Sequence, residues 1–183
     1  MSFSDGKYIE VDSGVELFVQ DVGEGEPIVF IPGFTFTTEV FSKQIEYFSK
    51  TNRVIVIDPR SHGRSTITPH GNDYVTHGSD LASVLQALDV ENSTLMGWSF
   101  GCFTVWEYLK QNGSDNIKSL VLVDMPPKSL SVNDDDWVEG TLDDIAAIYN
   151  SFLRNPAGQR EFITNYITQV MVQRDLEKEE LTW

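Results

Sequence analysis

Short apolar runs alternate with helical stripes along the first 125 residues. Residues 7–11 and 15–22 are two partly alternating runs around Asp12-Ser13-Gly14, a pattern that predicts a hairpin. Ile28-Val29-Phe30-Ile31 and Val54-Ile55-Val56-Ile57 are continuously apolar, as strands covered on both faces must be. Between them Phe41, Ile45 and Phe48 share one helical face. Leu81, Val84, Leu85 and Leu88 recur at i, i+3, i+4, i+7 and predict an amphipathic helix. Ser93-Thr94-Leu95-Met96 predicts another strand. Cys102, Val105, Trp106 and Leu109 predict the helix that follows, ended by Asn112-Gly113. Leu120-Val121-Leu122-Val123 reads as a further buried strand. Strands alternating with helices in this way predict an α/β fold, a mostly parallel sheet with helices on both faces and right-handed crossovers.

The pattern changes at Met125-Pro126-Pro127, after which no strand-like run occurs. Asn133-Asp134-Asp135-Asp136 reads as a solvated acidic loop. Thr141-Leu142-Asp143-Asp144 has the form of a helix N-terminal cap, with an acid three residues after the threonine. Ile145, Ile148, Tyr149 and Phe152 follow at helical spacing, and Asn155-Pro156 is expected to stop that helix. Phe162, Ile163, Tyr166, Ile167, Val170 and Met171 mark a second helix, and residues 176–183 the start of a third. The expected organisation is therefore a core domain over residues 1–125 and a helical segment over 126–183.

Composition narrows the function classes. Of 183 residues, 28 are acidic and 13 basic, a net charge of −15 that argues against partners such as nucleic acid or an anionic membrane surface. A single cysteine allows no intrachain disulfide, and Cys102 lies on the apolar side of its helix, where a buried thiol is expected. Nothing has the spacing of a metal site. Met1-Ser2-Phe3-Ser4-Asp5-Gly6 lacks the basic and apolar regions of a signal peptide, and no apolar stretch approaches the roughly 20 residues of a membrane span. The simplest expectation is a cytoplasmic protein.

The chemistry lies in Gly97-Trp98-Ser99-Phe100-Gly101, set between the Ser93–Met96 run and the helix carrying Cys102. G-x-S-x-G is short and occurs by chance. Between an apolar strand and a helix it becomes a nucleophile elbow, a sharp turn that stands the serine Oγ clear of the sheet. Glycine is required at 97 and 101 because side chains there would meet backbone. Ser99 is then the candidate catalytic nucleophile, and the Phe100 N–H at the start of the helix a natural oxyanion donor. The loop after the 28–31 strand, Pro32-Gly33-Phe34-Thr35-Phe36, can bring the Phe34 N–H to the same place. Phe34, Phe36 and Trp98 are candidate pocket residues, suited to an apolar acyl or aryl group.

Three segments together resemble the α/β-hydrolase superfamily: Ile31-Pro32-Gly33-Phe34, Asp58-Pro59-Arg60-Ser61-His62-Gly63-Arg64-Ser65, and Gly97-Trp98-Ser99-Phe100-Gly101. The middle one is similar to the family's D-x-R-G-H-G-x-S loop, with Ser61 where glycine is usual. The resemblance covers roughly residues 7 to 125. It implies a three-layer α/β sandwich, with residues 126–183 the beginning of the helical cap that many members insert after the sixth strand. It also implies a Ser–acid–His triad in that chain order. In the family the acid follows the seventh strand and the histidine the eighth, and both would lie beyond the cap. His62, His70 and His77 all precede Ser99. His62 belongs to the D-x-R-x-H-G loop, where relatives use it structurally, and Asp58 reads as a loop-organising carboxylate. Asp124 ends the sixth strand, where some members carry the acid; it reads equally as a polar residue closing a strand.

The expected function is serine hydrolysis of a small carboxylic ester. Ser99 attacks, and the Phe34 and Phe100 N–H groups hold the oxyanion. A C-terminal segment of the same protein supplies the base, and either that segment or Asp124 supplies the acid. That segment is also the expected partner for the hydrophobic edge left at the sixth strand. Neither metal nor organic cofactor is needed. Two other readings stay open: a non-catalytic member that uses the elbow as a ligand pocket, and another chemistry on the same site, such as acyl transfer, perhydrolysis or C–C hydrolysis.

Overall fold

The computed structural model describes residues 6–125, 141–153, 156–175 and 177. The chain divides into two compact units, Met1–Pro127 and Lys128–Trp183. In the first, six strands form one sheet in the order β1-β2-β4-β3-β5-β6. They are β1 (Lys7–Asp12), β2 (Val15–Val22), β3 (Pro27–Ile31), β4 (Arg53–Ile57), β5 (Ser93–Trp98) and β6 (Ile117–Val123). The hairpin β1–β2 turns at Ser13-Gly14, with Gly14 at φ +73°. β2 joins β4 antiparallel, and the pairs β4–β3, β3–β5 and β5–β6 are all parallel.

Alternation along the central strands divides the core between the two faces. Val29, Ile31, Ile55, Ile57 and Leu95 face one side. There they meet Leu81, Val84 and Leu85 of α2 (Tyr74–Ala87) and Val105 and Tyr108 of α3 (Gly101–Asn112). Phe30, Val54 and Val56 face the other side, against Phe41 and Ile45. Val29, Val54, Ile55 and Val56 are fully buried. Each such side chain contributes about 1.5–3 kcal/mol through removal from water. The result is a three-layer α/β sandwich.

Two features differ from the local sequence pattern. Phe41, Ile45 and Phe48 do not share one helix: a 3₁₀ turn, Thr38–Phe41, precedes α1 (Ser42–Phe48). The turn is pinned from outside, because the Asp58 carboxylate accepts the Thr38 N–H at 2.6 Å and the Thr37 side chain caps Glu39. The second is β6. Leu120, Val121 and Val123 are 41%, 43% and 38% exposed, so this strand is not covered on both faces as its apolar run predicts. β6 pairs on one side with β5 and ends the sheet.

In the second unit α4 (Leu142–Leu153) opens with a reciprocal cap. The Thr141 N–H donates to the Asp144 carboxylate at 2.9 Å, and the Asp144 N–H to the Thr141 hydroxyl at 3.3 Å. Pro156 opens α5 (Pro156–Tyr166), a position where its missing N–H costs nothing. The helix ends in a π turn, Ile167–Met171. The acidic loop 133–136, Pro126, Pro127, Asn155 and, apart from Glu177, the third helix expected over 176–183 lie outside the described residues. Among the described residues no helix is long and apolar enough to cross a membrane.

Candidate active site

β5 runs through Gly97 to Trp98, and the chain then reverses at Ser99, whose φ of +52° lies in the left-handed region. For a residue with a Cβ that conformation costs roughly 1–2 kcal/mol. It is held from several sides. The Ser99 N–H donates to the Val123 carbonyl at the end of β6, at 2.8 Å, and the Ser99 carbonyl accepts the Cys102 N–H at 2.9 Å. Cys102, fully buried below the turn, donates its thiol to the Gly97 carbonyl at 3.2 Å. Burial pushes that thiol above its ordinary pKa, so it stays protonated and braces the turn rather than reacting.

The glycines follow from the same crowding. A Cβ on Gly101 would overlap the carbonyl oxygen of Ile31, and one on Gly97 would lie 2.8 Å from Cys102 Cα. Backbone cannot move aside as a flexible side chain can. Gly101→Ala is therefore expected to cost about 1–3 kcal/mol or more in stability. Denaturant unfolding tests this, and an unchanged midpoint would contradict it.

Gly33 brings the loop after β3 against Ser99, its Cβ position lying 3.1 Å from Ser99 Cβ and 3.6 Å from Ser99 Oγ. Phe34 follows, half exposed, and its ring meets that of Phe100 edge to face at 6.0 Å. Among the described residues neither the Phe34 N–H nor the Phe100 N–H donates a hydrogen bond. Both candidate oxyanion donors are thus open, and their side chains touch. Ser99 Oγ likewise has no hydrogen-bond partner among the described residues. Phe36 and Trp98 pack on each other at 4.8 Å, and Trp98 also meets Phe41 at 6.4 Å.

The loop after β4 supports this arrangement through its side chains. Asp58, 1% exposed, accepts from the Thr38 N–H and, at 2.9 Å, from the Arg64 N–H, which is an organising role. Ser61, where the family pattern has glycine, sits at φ +62°. Its hydroxyl offsets the strain by donating to the Thr68 carbonyl at 2.9 Å and accepting the Thr68 N–H at 3.1 Å. Arg60 forms a buried two-pronged ion pair with Asp80 of α2, at 2.7 and 2.6 Å.

The loop after β3 thus lies against Ser99 on one side and against the 58–65 loop on the other, on a six-stranded sheet of this order, and residues 26–161 match the family model described as alpha/beta hydrolase fold. The chain belongs to the α/β-hydrolase family. This α/β hydrolase is 33% identical over 122 residues to the non-heme chloroperoxidase CPO-A1 of Kitasatospora aureofaciens, covering 66% of this chain and 44% of the relative. It is 30% identical over 123 residues to the bifunctional esterase/perhydrolase DCH of Acinetobacter calcoaceticus, covering 66% and 45%. Its fold is similar to that of an esterase from Exiguobacterium antarcticum, with a TM-score of 0.80 and 26% identity, covering 89% of this chain and 61% of that one. The chain spans about half the length of the curated relatives it matches.

None of the chain's three histidines bonds to Ser99 Oγ. His70 is exposed, and both ring nitrogens of His62 are engaged elsewhere. His77 Nε2 is buried and has no hydrogen-bond partner among the described residues. Asp124, exposed at φ +59°, follows directly on the carbonyl that holds the Ser99 N–H, and no hydrogen bond links it to Ser99 or to a histidine. Among the described residues no three His, Cys, Asp or Glu side chains cluster as a metal site would require. A small, partly open cavity lined by Leu17, Ile31, His77, Asp80, Leu81 and Thr104, among others, does not include Ser99.

Burial depresses the pKa of His77, aided by the positive charge of Arg60 and opposed chiefly by Asp80. The unfolded chain therefore binds a proton near the ordinary value of 6.5, where the folded chain does not. Stability from this group is full above that value and falls as pH drops through it. Tm is expected to decline by a few degrees from pH 7.5 to 5.5, with a shallower decline in His77→Gln. Equal slopes for the two proteins would remove His77 from the account.

Proposed function

We propose that this α/β hydrolase cleaves small carboxylic esters through an acyl-enzyme on Ser99. The observation that carries the reading is the elbow itself. Ser99 is held at φ +52°, and among the described residues its Oγ and the N–H groups of Phe34 and Phe100 have no hydrogen-bond partner. In the reaction Ser99 Oγ bonds to the ester carbonyl carbon while a base takes its proton. The carbonyl oxygen becomes an oxyanion facing the two N–H groups. The C–O bond to the alcohol then breaks, and the alcohol leaves with the proton. Water releases the acid by the same steps in reverse order. Each oxyanion donor is worth about 10²–10³ in turnover.

The base is assigned to a C-terminal segment of the same protein that pairs with the outer edge of β6. The exposed Leu120, Val121 and Val123 and the greater length of the relatives support this. That segment, or Asp124, supplies the acid. Residues 126–183 are read as a helical cap segment, the substrate as a small apolar or aryl ester, and the location as cytoplasmic. A second reading, perhydrolysis, has as its support the bifunctional esterase/perhydrolase among the relatives. In it hydrogen peroxide replaces water in attack on the acyl-enzyme and leaves as a peracid.

The deciding experiment is an intact mass after exposure to a fluorophosphonate, followed by a panel of ester, thioester and amide substrates with and without peroxide. A single adduct on Ser99 with ester turnover is the expected result. A protein that takes no label and binds esters unchanged would overturn the reading in favour of a non-catalytic member.

A further inference from the structure

The loop that carries Phe34 is an unfavourable one for its sequence. The Phe36 N–H donates to the Gly33 carbonyl at 3.1 Å, closing a four-residue turn over Gly33-Phe34-Thr35-Phe36. Its third residue, Thr35, lies at φ +69°. Positive φ at that position defines a type II turn, where glycine or asparagine is the usual occupant. For a β-branched residue such as threonine it is a true outlier. Rotating the peptide between Phe34 and Thr35 would return Thr35 to negative φ. Something must hold that peptide where it is.

What holds it is His62. The Thr35 N–H belongs to that peptide and donates to His62 Nε2 at 3.2 Å. The other ring nitrogen, Nδ1, faces the Arg60 carbonyl at 3.0 Å. A carbonyl can only accept, so Nδ1 carries the proton, and a nitrogen that accepts carries none. The two bonds together select the neutral Nδ1–H tautomer. The ring is fixed further by edge-to-face contact with Phe34 at 6.3 Å. Its backbone is tied on both sides, His62 N–H to the Pro59 carbonyl and Ser65 N–H to the His62 carbonyl, each at 3.0 Å. Arg60, whose carbonyl orients the imidazole, is anchored to α2 through Asp80. A chain of contacts therefore runs from α2 through Asp80, Arg60 and His62 to Thr35, beside the candidate oxyanion donor Phe34.

We propose that His62, as the Nδ1–H tautomer, is a positioning residue for the oxyanion loop, its Nε2 holding the Thr35 N–H so that the strained turn keeps Phe34 beside Ser99. This rests on the assignment of Phe34 above only for its catalytic consequence. The latch itself is a structural claim that holds or fails without activity. It touches neither substrate nor nucleophile.

Two kinds of measurement test it. Long-range ¹H–¹⁵N spectra should show His62 protonated at Nδ1, and the Thr35 amide should exchange slowly in the native chain and at least ten-fold faster in His62→Leu. An Nε2–H tautomer, or equal exchange in both proteins, would overturn the latch whatever the enzyme does. The second is the rate at which a fluorophosphonate modifies Ser99, since its phosphoryl oxygen takes the oxyanion position. His62→Leu should slow it at least ten-fold. His62→Gln, whose Oε1 can still accept the Thr35 N–H, should stay within a few-fold. Adding Thr35→Gly to His62→Leu should recover part of the loss, because glycine adopts positive φ without strain. Uniform loss in His62→Leu and His62→Gln with no recovery from Thr35→Gly would reduce His62 to a general stabiliser and overturn the proposal. If the native protein takes no label, the hydrolase reading fails, and the tautomer and exchange data decide the latch alone.

Discussion

Ser99→Ala is expected to remove all fluorophosphonate labelling and to lower ester turnover by about 10⁶-fold. It should leave the fold intact, and the physical reason makes the experiment clean. Ser99 Oγ has no hydrogen-bond partner among the described residues, so deleting it orphans no donor or acceptor. Alanine at φ +52° carries the same backbone strain as serine, and the Val123 and Cys102 bonds to residue 99 are main-chain bonds that survive. Stability should change by less than about 0.5 kcal/mol. A loss of activity therefore cannot be attributed to unfolding. KM should move little, since Oγ contributes to bond formation rather than to holding the substrate. Turnover that persists in Ser99→Ala at more than a few per cent would mean that another group attacks, and the elbow would lose its assigned role.

Much of this arrangement was legible in the sequence because the signals were local. Residues 28–31 and 54–57 are apolar at every position since both faces of the central strands are covered, and a run of that kind needs no partner to be recognised. The elbow was legible for a similar reason: Gly97 and Gly101 are dictated by backbone within a few residues or on the next strand. Other features were set by distant groups. The break between the 3₁₀ turn and α1 depends on Asp58 reaching Thr38 across 20 positions, and no local period reveals it. The exposure of Leu120 and Val121 follows from the place of β6 at the edge of the sheet, whereas their composition records only that the strand is apolar. His62 could be placed in a family motif, yet its contact with Thr35 lies 27 positions away and its tautomer follows from one carbonyl and one amide that have no sequence signature. Thr35 itself carried no signal: a threonine between two phenylalanines gives no hint of positive φ.

The Arg60–Asp80 pair should produce the largest change in stability. Its two bonds, at 2.7 and 2.6 Å, lie between residues 2% and 4% exposed, and Asp80 raises the guanidinium pKa further through these bonds. Asp80→Ala leaves a buried guanidinium whose remaining hydrogen bond among the described residues is to the His70 carbonyl at 3.3 Å, and water cannot reach it freely. The expected cost is about 3–5 kcal/mol, on the scale of whole-domain stability. That number measures an abandoned charge, not the worth of the pair. Forming the pair required both ions to leave water, and this desolvation offsets most of their attraction. The double variant Arg60→Met/Asp80→Leu removes both charges at similar volume, and it should be far closer to the native protein than Asp80→Ala is. Denaturant midpoints for the two variants separate these contributions. A single variant costing less than about 1 kcal/mol would mean the site is wetter than its burial indicates. A double variant as unstable as the single would mean the pair orders the loop after β4 in a way apolar packing cannot replace. Arg60 also presents the carbonyl that orients His62, so the double variant carries a second expectation. If shape alone holds that carbonyl, Ser99 labelling survives in the double variant; if the ion pair is needed, labelling falls while stability recovers.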